Sequence, residues 1–267
     1  MKALVLFSFR KRGFYTMSEL KAVILAAGKG TRMKSDLPKV LHEVCNKPMI
    51  KYVIDAAKEA GTKEICVVVG HKAQQVIDKI FDLGETHIQF VEQKQQLGTG
   101  HAVKCAKDFI GTEGETIVLF GDTPIVTGKT LNQLYEYHKK EQNAVTVMSA
   151  FMENPEGYGR IVRDEQGTFL KSVEHKDANE KELLVKEVNS GMYLFQNKYL
   201  SEALLHLNND NAQGEYYLPD TLTIIKDQLG GKVDARMIED ATEIQGVNSK
   251  EQLALAEKII QRRNGGK

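Results

Sequence analysis

A loop behind the first apolar run of the chain contains residues suited to binding phosphate. The run ends at Ala26, and the loop from Gly28 to Lys39 reads G-K-G-T-R-M-K-S-D-L-P-K, with two glycines and four cations. Glycines allow consecutive backbone N–H groups to point at one anion, and the guanidinium of Arg32 adds a planar fork of donors. This combination predicts a site for a di- or triphosphate.

Spacing excludes two familiar phosphate motifs. A dinucleotide-binding fingerprint requires a third glycine in this loop, and a P-loop requires a glycine five residues after Gly28. Met33 stands at both positions. One alternative stays open at this point, a glycine-rich turn whose cations lie on the surface without a ligand.

A second candidate follows the apolar run from Ile117 to Phe120, which ends in Gly121-Asp122. The run predicts a buried strand, so Asp122 is expected at the carboxyl edge of a sheet, beside a glycine that cannot crowd it. Mg²⁺ on a nucleotide needs only one or two protein carboxylates, because phosphates and water complete its shell. We predict Asp122 as a metal ligand, while a Gly-Asp pair in a simple turn is the alternative.

A polar loop, Q-K-Q-Q-L-G-T-G-H from Gln93 to His101, separates a predicted strand from a predicted helix. The amide of Gln93 offers a donor and an acceptor, as the edge of uracil requires, and Gly98 allows the backbone to approach a base. The alternative is an ordinary helix start capped by Thr99.

The second half of the chain supplies a different set of polar residues. Three short segments, Y-G-R, V-E-H-K-D-A and V-N-S-G, contain Gly159, Glu174 and Asn189 respectively. A glycine backbone, a carboxylate and an amide are complementary to the hydroxyls and the acetamido group of a sugar. Each residue alone is common in turns and at strand ends, so the prediction of a sugar site rests on all three.

The elements that position these residues follow from apolar periodicity. Strand and helix patterns alternate four times between Ala22 and Phe120, with the third helix predicted over 102–109. This alternation predicts an α/β fold with a doubly wound, mostly parallel sheet, whose ligands lie beyond the carboxyl ends of the strands. After about Ala144 shorter strands and turns predict a partly antiparallel second lobe, and a last helix is predicted over 250–263.

Composition narrows the class of protein. The chain has 267 residues, 42% of them apolar, enough for one large core or for one domain with a small lobe. No apolar run reaches the roughly 18 residues of a transmembrane helix, which favours a cytoplasmic location. Basic and acidic residues both number 36, so we expect neither nucleic acid nor a membrane as a partner. The three cysteines, Cys45, Cys66 and Cys105, are spaced for neither a disulfide framework nor a zinc site.

The first 16 residues are basic and aromatic without periodicity and precede a second methionine, Met17. We expect residues 1–16 to be a disordered leader, and residues 17–267 to form the domain. A chain that begins at Met17 should therefore keep its stability and activity.

Several of these motifs together resemble one family. The segment L-A-A-G-K-G-T-R-M followed by L-P-K resembles the signature of the sugar-nucleotide pyrophosphorylases, and F-G-D-T-P-I and Q-L-G-T-G-H-A are similar to two further family segments. With the run N-D-N-A-Q-G-E-Y-Y-L-P-D, which ends at Asp220, their order resembles the bacterial N-acetylglucosamine-1-phosphate uridyltransferases from about Ala22 to Arg263. The resemblance implies a Rossmann-like, GT-A-like nucleotidyltransferase fold.

The resemblance also implies roles for individual residues. It assigns Arg32 and Lys39 to catalysis, at the departing pyrophosphate, and Gly159, Glu174 and Asn189 to the sugar. It completes the metal site of Asp122 with Asn248 from the segment G-V-N. The implied nucleotide contacts are Leu25, Ala26, Ala27, Gly28, Gly30, Lys39, Gln93, Gly98 and Thr99.

The implied reaction joins UTP and N-acetylglucosamine 1-phosphate, with Mg²⁺, to UDP-N-acetylglucosamine and pyrophosphate for bacterial cell-wall synthesis. Two alternatives stay open. One is a related enzyme that uses glucose 1-phosphate with UTP or dTTP, and the other is an inactive nucleotide-binding regulator on the same fold.

Full-length members of the resembled family carry a second, acetyltransferase half, a left-handed β-helix built from six-residue repeats. Such repeats do not occur in this sequence. We therefore expect a truncated protein without acetyltransferase activity, a monomer or weak dimer rather than a β-helix trimer.

Overall fold

A computed structural model describes residues 20–211 and 213–265. The predicted leader over residues 1–16 lies outside the described residues. The strands are β1 (Leu20–Ala26), β2 (Glu43–Val44), β3 (Lys47–Pro48), β4 (Glu64–Val69), β5 (Gln89–Glu92), β6 (Glu115–Phe120), β7 (Val145–Phe151), β8 (Gly159–Arg163), β9 (Phe169–Val173), β10 (Glu187–Gln196) and β11 (Val233–Met237).

The α-helices lie between these strands and at the end of the described chain. They are α1 (Met49–Glu59), α2 (Ala73–Asp82), α3 (Thr99–Cys105), α4 (Lys107–Ile110), α5 (Gly128–Glu141), α6 (Glu180–Leu183), α7 (Asn197–His206), α8 (Asp220–Thr223) and α9 (Lys250–Gly265). A π-helical turn at Ile224–Gln228 follows α8 directly. None of the helices in the described ranges has the length and apolar character that a membrane crossing requires.

The main sheet confirms the predicted α/β class. Its strands lie in the order β11-β7-β10-β6-β1-β4-β5, and β8 and β9 extend it beside β10. Strands β6, β1, β4 and β5 are parallel. Strand β10 is antiparallel to both of its neighbours, β6 and β7, and pairs with β8 as well, so the second lobe is partly antiparallel as predicted.

Apolar side chains bury both faces of the sheet, which explains why its central strands are continuously apolar. In β1, Ala22 and Ile24 point into one core cluster with Val53 and Ile54 of α1. The alternate residues Val23 and Leu25 belong to the cluster on the opposite face.

The helix predicted over 102–109 is instead two helices, α3 and α4. Between them the backbone at Ala106 has φ −92° and ψ 11°, and its N–H bonds to the carbonyl of Val103 at 2.9 Å. This tighter bond ends α3. Ala106 is fully buried, so the bend is fixed by packing and not by a residue that breaks helices.

Candidate active site

The glycine-rich loop after β1 folds against the residues that follow it. Gly30 has φ 61° and ψ 34°, in the left-handed region, and a Cβ added there would lie 2.6 Å from Cβ of Lys39. Only glycine fits this position without moving the lysine. A short 3-10 turn at Thr31–Met33 buries Met33 and anchors the loop to the core.

Two side-chain oxygens converge on the Lys39 ammonium. The carboxylate Oδ2 of Asp122 forms an ion pair with it, and Oδ1 of Asn248 lies 2.9 Å from Nζ. The same Asn248 oxygen accepts a hydrogen bond from Nη2 of Arg32 at 2.8 Å, across a sequence separation of 216 residues. The two predicted metal ligands and the two predicted catalytic cations therefore lie together.

Backbone hydrogen bonds hold the end of β6 in this place. The N–H of Gly121 donates to the carbonyl of Leu25 at 2.9 Å, and the carbonyl of Asp122 accepts from the N–H of Val247 at 2.9 Å. A Cβ at Gly121 would lie 3.1 Å from side-chain atoms of Ile50 and Val40, so glycine permits this close approach. The backbone at Gly121 and Asp122 is thus tied both to the end of β1 and to the segment that carries Asn248.

The oxygens of Asp122 and Asn248 suit a hard cation. Both oxygens already contact the ammonium of Lys39, and carboxylate and amide oxygens are typical ligands of Mg²⁺. No cluster of three or more His, Cys, Asp or Glu side chains that would suit a metal occurs in residues 20–211 and 213–265. The pair therefore fits an ion that receives its other oxygens from phosphate and water, and not an ion held by protein alone.

The loop after β5 is braced by the side chain of Gln93, which is 4% exposed. Its Nε2 donates to the carbonyl of Gly98 at 3.0 Å and lies 3.1 Å from Nδ1 of His101. The amide nitrogen that was expected to face a base is thus engaged within the loop.

The residues after Gln93 tie this loop to a distant segment. Gly98 has φ 102°, and a Cβ there would lie 2.6 Å from the carbonyl oxygen of Tyr216. Helix α3 begins at Thr99 with Gly98 as the preceding cap residue, so the alternative of a Thr99 cap is wrong. Instead, Oγ1 of Thr99 accepts a hydrogen bond from the N–H of Leu218 at 3.2 Å.

A cavity lies over the carboxyl ends of β1, β5 and β6, and we call it the glycine-loop cavity. Gly30 and Arg32 lie outside its lining, and Gly30 packs against Lys39 instead. The predicted residues that do line this cavity are Leu25, Ala26, Ala27, Gly28, Lys39, Gln93, Gly98, Thr99 and Asp122.

A second cavity, the lobe cavity, brings together Gly159, Glu174 and Asn189. A Cβ at Gly159 would lie 3.3 Å from Oε1 of Glu174 and 3.6 Å from Cβ of Asn189. Any larger residue at position 159 would press on the carboxylate. The three residues predicted for a sugar therefore form one wall.

Asn189 is fixed by its own hydrogen bonds. Its Oδ1 accepts from the N–H of Gly191 at 2.8 Å, and its Nδ2 donates to Ser172 Oγ and Tyr193 Oη, both at 2.9 Å. The register of β10 against β7 shifts between Asn189 and Tyr193, which accommodates the turn at Gly191. Asn189 is consequently a rigid part of the cavity wall.

The lobe cavity is acidic. Burial raises the pKa of the Glu174 carboxyl, and the negative charges of Asp177 and Asp220 raise it further. Burial likewise raises the pKa of Asp220, with Asp177 adding to the shift. Of these groups Glu174 lines the cavity, where its carboxyl group can accept hydrogen bonds from a ligand.

The two cavities join into one cleft because they share Thr99, Phe120 and Glu215. Neither Phe120 nor Glu215 was predicted as a site residue. Phe120 is the last residue of an apolar run and resembles core in the sequence, whereas Glu215 lies in the N-A-Q-G-E-Y-Y run that contributed to the family resemblance. A Cβ at Gly191 would lie 2.5 Å from the Phe120 ring, so glycine makes room for this ring between the cavities.

Residues 21–239 of the chain match the family described as nucleotidyl transferase. Among curated proteins, the bifunctional protein GlmU of Caldanaerobacter subterraneus subsp. tengcongensis is 52% identical over 92% of this chain and 53% of its own length. The bifunctional protein GlmU of Clostridioides difficile is 50% identical over 91% of this chain and 52% of its own. The chain thus spans about half the length of these relatives.

Two solved structures share the fold. A UDP-glucose pyrophosphorylase complexed with UDP-glucose superposes with a TM-score of 0.71 at 23% identity, covering 91% of this chain and 98% of that one. A putative glucose-1-phosphate thymidylyltransferase from Bacillus anthracis gives a TM-score of 0.72 at 19% identity, covering 90% and 94%. At these identities the likeness concerns the fold alone.

Proposed function

Because the chain belongs to the nucleotidyl transferase family, we propose that it transfers a uridylyl group from UTP to N-acetylglucosamine 1-phosphate, forming UDP-N-acetylglucosamine and pyrophosphate. The observation that carries the proposal is the single cleft in which the glycine-loop cavity, with Lys39 and Asp122, adjoins the lobe cavity. The roughly 50% identity to two bifunctional GlmU proteins favours this nucleotide and this sugar.

In this proposal each cavity takes one substrate. The backbone at Ala26–Gly28 cradles the triphosphate, and Gln93, Gly98 and Thr99 position the base and ribose. Gly159, Glu174 and Asn189 receive the N-acetylglucosamine moiety. Phe120, shared by both cavities, then lies between the nucleotide and the sugar.

The reaction requires positioning and charge neutralisation more than proton transfer. A sugar phosphate is already ionised near neutral pH, so its oxygen can attack the α-phosphorus without a general base. Arg32 and Lys39 bind the departing pyrophosphate and stabilise its growing charge. Lys39 has to leave the oxygens of Asp122 and Asn248 for this role, because a bound divalent cation needs the same two oxygens.

Members of this family generally use a divalent metal, and we propose Mg²⁺, held by Asp122 and Asn248. The ion would neutralise and orient the phosphates of the two substrates. In this proposal the product is a precursor for bacterial cell-wall synthesis and the activity is cytoplasmic.

A pyrophosphate-release assay tests the proposal. The purified chain is given UTP or dTTP with N-acetylglucosamine 1-phosphate or glucose 1-phosphate, each with Mg²⁺ and with EDTA. We expect the highest kcat/KM for UTP with N-acetylglucosamine 1-phosphate. With EDTA we expect no release of pyrophosphate from any pair of substrates. A preference for glucose 1-phosphate would replace the proposed substrate, and nucleotide binding without turnover of any pair would indicate a regulator instead.

A further inference from the structure

The side chain of Arg160 is a buried cation, with 2% of the residue exposed. Burial lowers the pKa of its guanidinium, and no acidic group among the described residues offsets that effect. Arg163, on the same strand β8, differs, because it pairs with Glu187 at 2.8 Å and with Asp234 at 3.3 Å. Arg160 therefore lacks the ion pairs that usually accompany an arginine inside a protein.

The hydrogen bonds of Arg160 lead to the lobe cavity. Its Nη1 donates to the carbonyl of Tyr158, and its Nη2 lies 3.4 Å from Nδ1 of His175, which must be the acceptor because a guanidinium only donates. Tyr158 immediately precedes Gly159, and His175 immediately follows Glu174. The two contacts thus reach the direct neighbours of two residues in the cavity wall.

Fold stability alone does not account for this arginine. A buried charge without a counterion is costly, and an apolar side chain of similar length would avoid the cost. The Nε atom of Arg160 is buried without a hydrogen-bond partner among the described residues, which increases the energetic cost of burying this side chain. An arginine does offer a rigid planar fork that reaches two acceptors in a fixed geometry, as neither lysine nor methionine can.

Gly159 and Glu174 have little freedom to move closer together. A Cβ at Gly159 would already lie 3.3 Å from Oε1 of Glu174, and Arg160 stands opposite Val173 in the β8–β9 register. A shift of the β8 start against the end of β9 would therefore change the width of the lobe cavity directly.

We infer that Arg160 is a positioning residue for the sugar phosphate: its buried guanidinium joins Tyr158 to His175 and so sets the spacing of Gly159 and Glu174. This inference rests on the proposed function for the identity of the ligand. Arg160 does not line the cavity and acts only through its two neighbours.

The test compares Arg160→Lys and Arg160→Met with Arg163→Met in steady-state kinetics, varying each substrate in turn. Both Arg160 variants should raise KM for the sugar phosphate about tenfold or more, because small misplacements of binding groups are costly. Their KM for UTP should stay within about twofold, since the glycine-loop cavity is untouched. Arg163→Met removes a partly exposed arginine from the same strand and should lower Tm without a selective change in either KM.

His175→Leu provides a second route that leaves the arginine in place. It should also raise KM for the sugar phosphate selectively, by a smaller factor. An unchanged KM for the sugar phosphate in Arg160→Lys, or an equal rise of both KM values in the folded Arg160 variants, would overturn the inference. The substrate preference of the wild-type protein is measured first. If it prefers a different sugar phosphate, the proposed function is corrected, and the KM values of the variants are then compared with that substrate.

Discussion

The two cavities of the cleft are built in different ways. The ends of the parallel strands β1, β5 and β6 and the loops that follow them form the glycine-loop cavity, so consecutive residues such as Leu25 to Gly28 enter its wall together. The lobe cavity is assembled from short runs at the start of β8, within β10 and before α8, together with Glu174, which directly follows β9. One cavity thus depends mainly on the carboxyl ends of parallel strands and the loops that follow them, whereas the other joins short segments of the antiparallel lobe that lie far apart in the sequence.

Charge divides the cavities as well. The glycine-loop cavity contains the Lys39 ammonium. Arg32 lies close to it, because both side chains donate hydrogen bonds to Oδ1 of Asn248. Around the lobe cavity, Asp177 and Asp220 raise the pKa of Glu174, as burial does. The glycine-loop cavity thus contains a cation beside the carboxylates of Asp122 and Glu215, whereas the described lining of the lobe cavity contains acidic but no basic side chains. A substitution at one of the shared residues is therefore expected to affect both cavities.

Gly98→Ala should have the largest effect and should damage both cavities. The new Cβ would lie 2.6 Å from the Tyr216 carbonyl oxygen at φ 102°, so it must displace the segment next to Glu215. We expect kcat/KM to fall about a hundredfold or more. Gly84→Ala is the control, because Gly84 has φ 81° but nothing within 4 Å of the added Cβ. Equal activity losses in the two variants would show that backbone strain alone is responsible.

Arg32→Ala should lower kcat/KM by about a hundredfold, equivalent to roughly 3 kcal/mol, because a charge-assisted contact with the departing phosphate is lost. Tm should change little, since Arg32 is exposed. Arg262→Ala, an exposed arginine in the last turns of α9, is the control and should keep wild-type kinetics. Full activity of Arg32→Ala would remove this residue from the proposed mechanism.

Asp122→Asn should raise the Mg²⁺ concentration needed for half-maximal activity about tenfold, because a neutral amide replaces the carboxylate. Direct titration with Mn²⁺, followed by electron paramagnetic resonance, gives a readout independent of turnover. Asp227→Asn alters an exposed carboxylate and serves as the control. An unchanged metal requirement would exclude Asp122 from the metal site.

A crossed pair of glycine substitutions tests whether the cavities are separable. Gly28→Ala adds a methyl group to the open glycine-loop cavity, and Gly159→Ala adds one 3.3 Å from Oε1 of Glu174. We expect Gly28→Ala to raise KM for UTP and Gly159→Ala to raise KM for the sugar phosphate, each roughly fivefold, equivalent to about 1 kcal/mol. A rise of both KM values in either variant would show that the cavities act as one unit.

The smallest expected effect concerns stability. The raised pKa of Glu174 stabilises the fold at acid pH, and this contribution is lost as the pH rises through the folded pKa. Glu174→Gln should therefore raise Tm slightly at about pH 8 and hardly at all near pH 4, while weakening sugar binding. Glu165→Gln, at an exposed carboxylate, should show no such pH difference. A lower Tm for Glu174→Gln at about pH 8 would mean that the carboxylate stabilises the fold.

Physical reasoning from the sequence predicted some residues around the glycine-loop cavity, while others depend on contacts that exist only in the folded chain. The position of Asp122 was predictable because a continuous apolar run ends just before it. Such a run predicts a buried strand, so the residue after it lies at the carboxyl edge of the sheet. The placement of Asn248 depends on the path of the chain before α9, and only the family resemblance indicated it. The direction of the Gln93 amide is decided by the Gly98 carbonyl and His101, contacts within the folded loop that no pattern of residue types reveals.

The position of β10 bears on the order in which the chain assembles. Strands β6 and β7 follow each other in the sequence, yet β10 (Glu187–Gln196) lies between them in the sheet. While the chain is being synthesised, β1, β4, β5 and β6 can pair among themselves, but β6 and β7 keep open edges until residue 196 has emerged. Open edges invite pairing with other chains. Because β10 also carries Asn189, the strand that fills this gap in the sheet brings one part of the lobe-cavity wall into place at the same time.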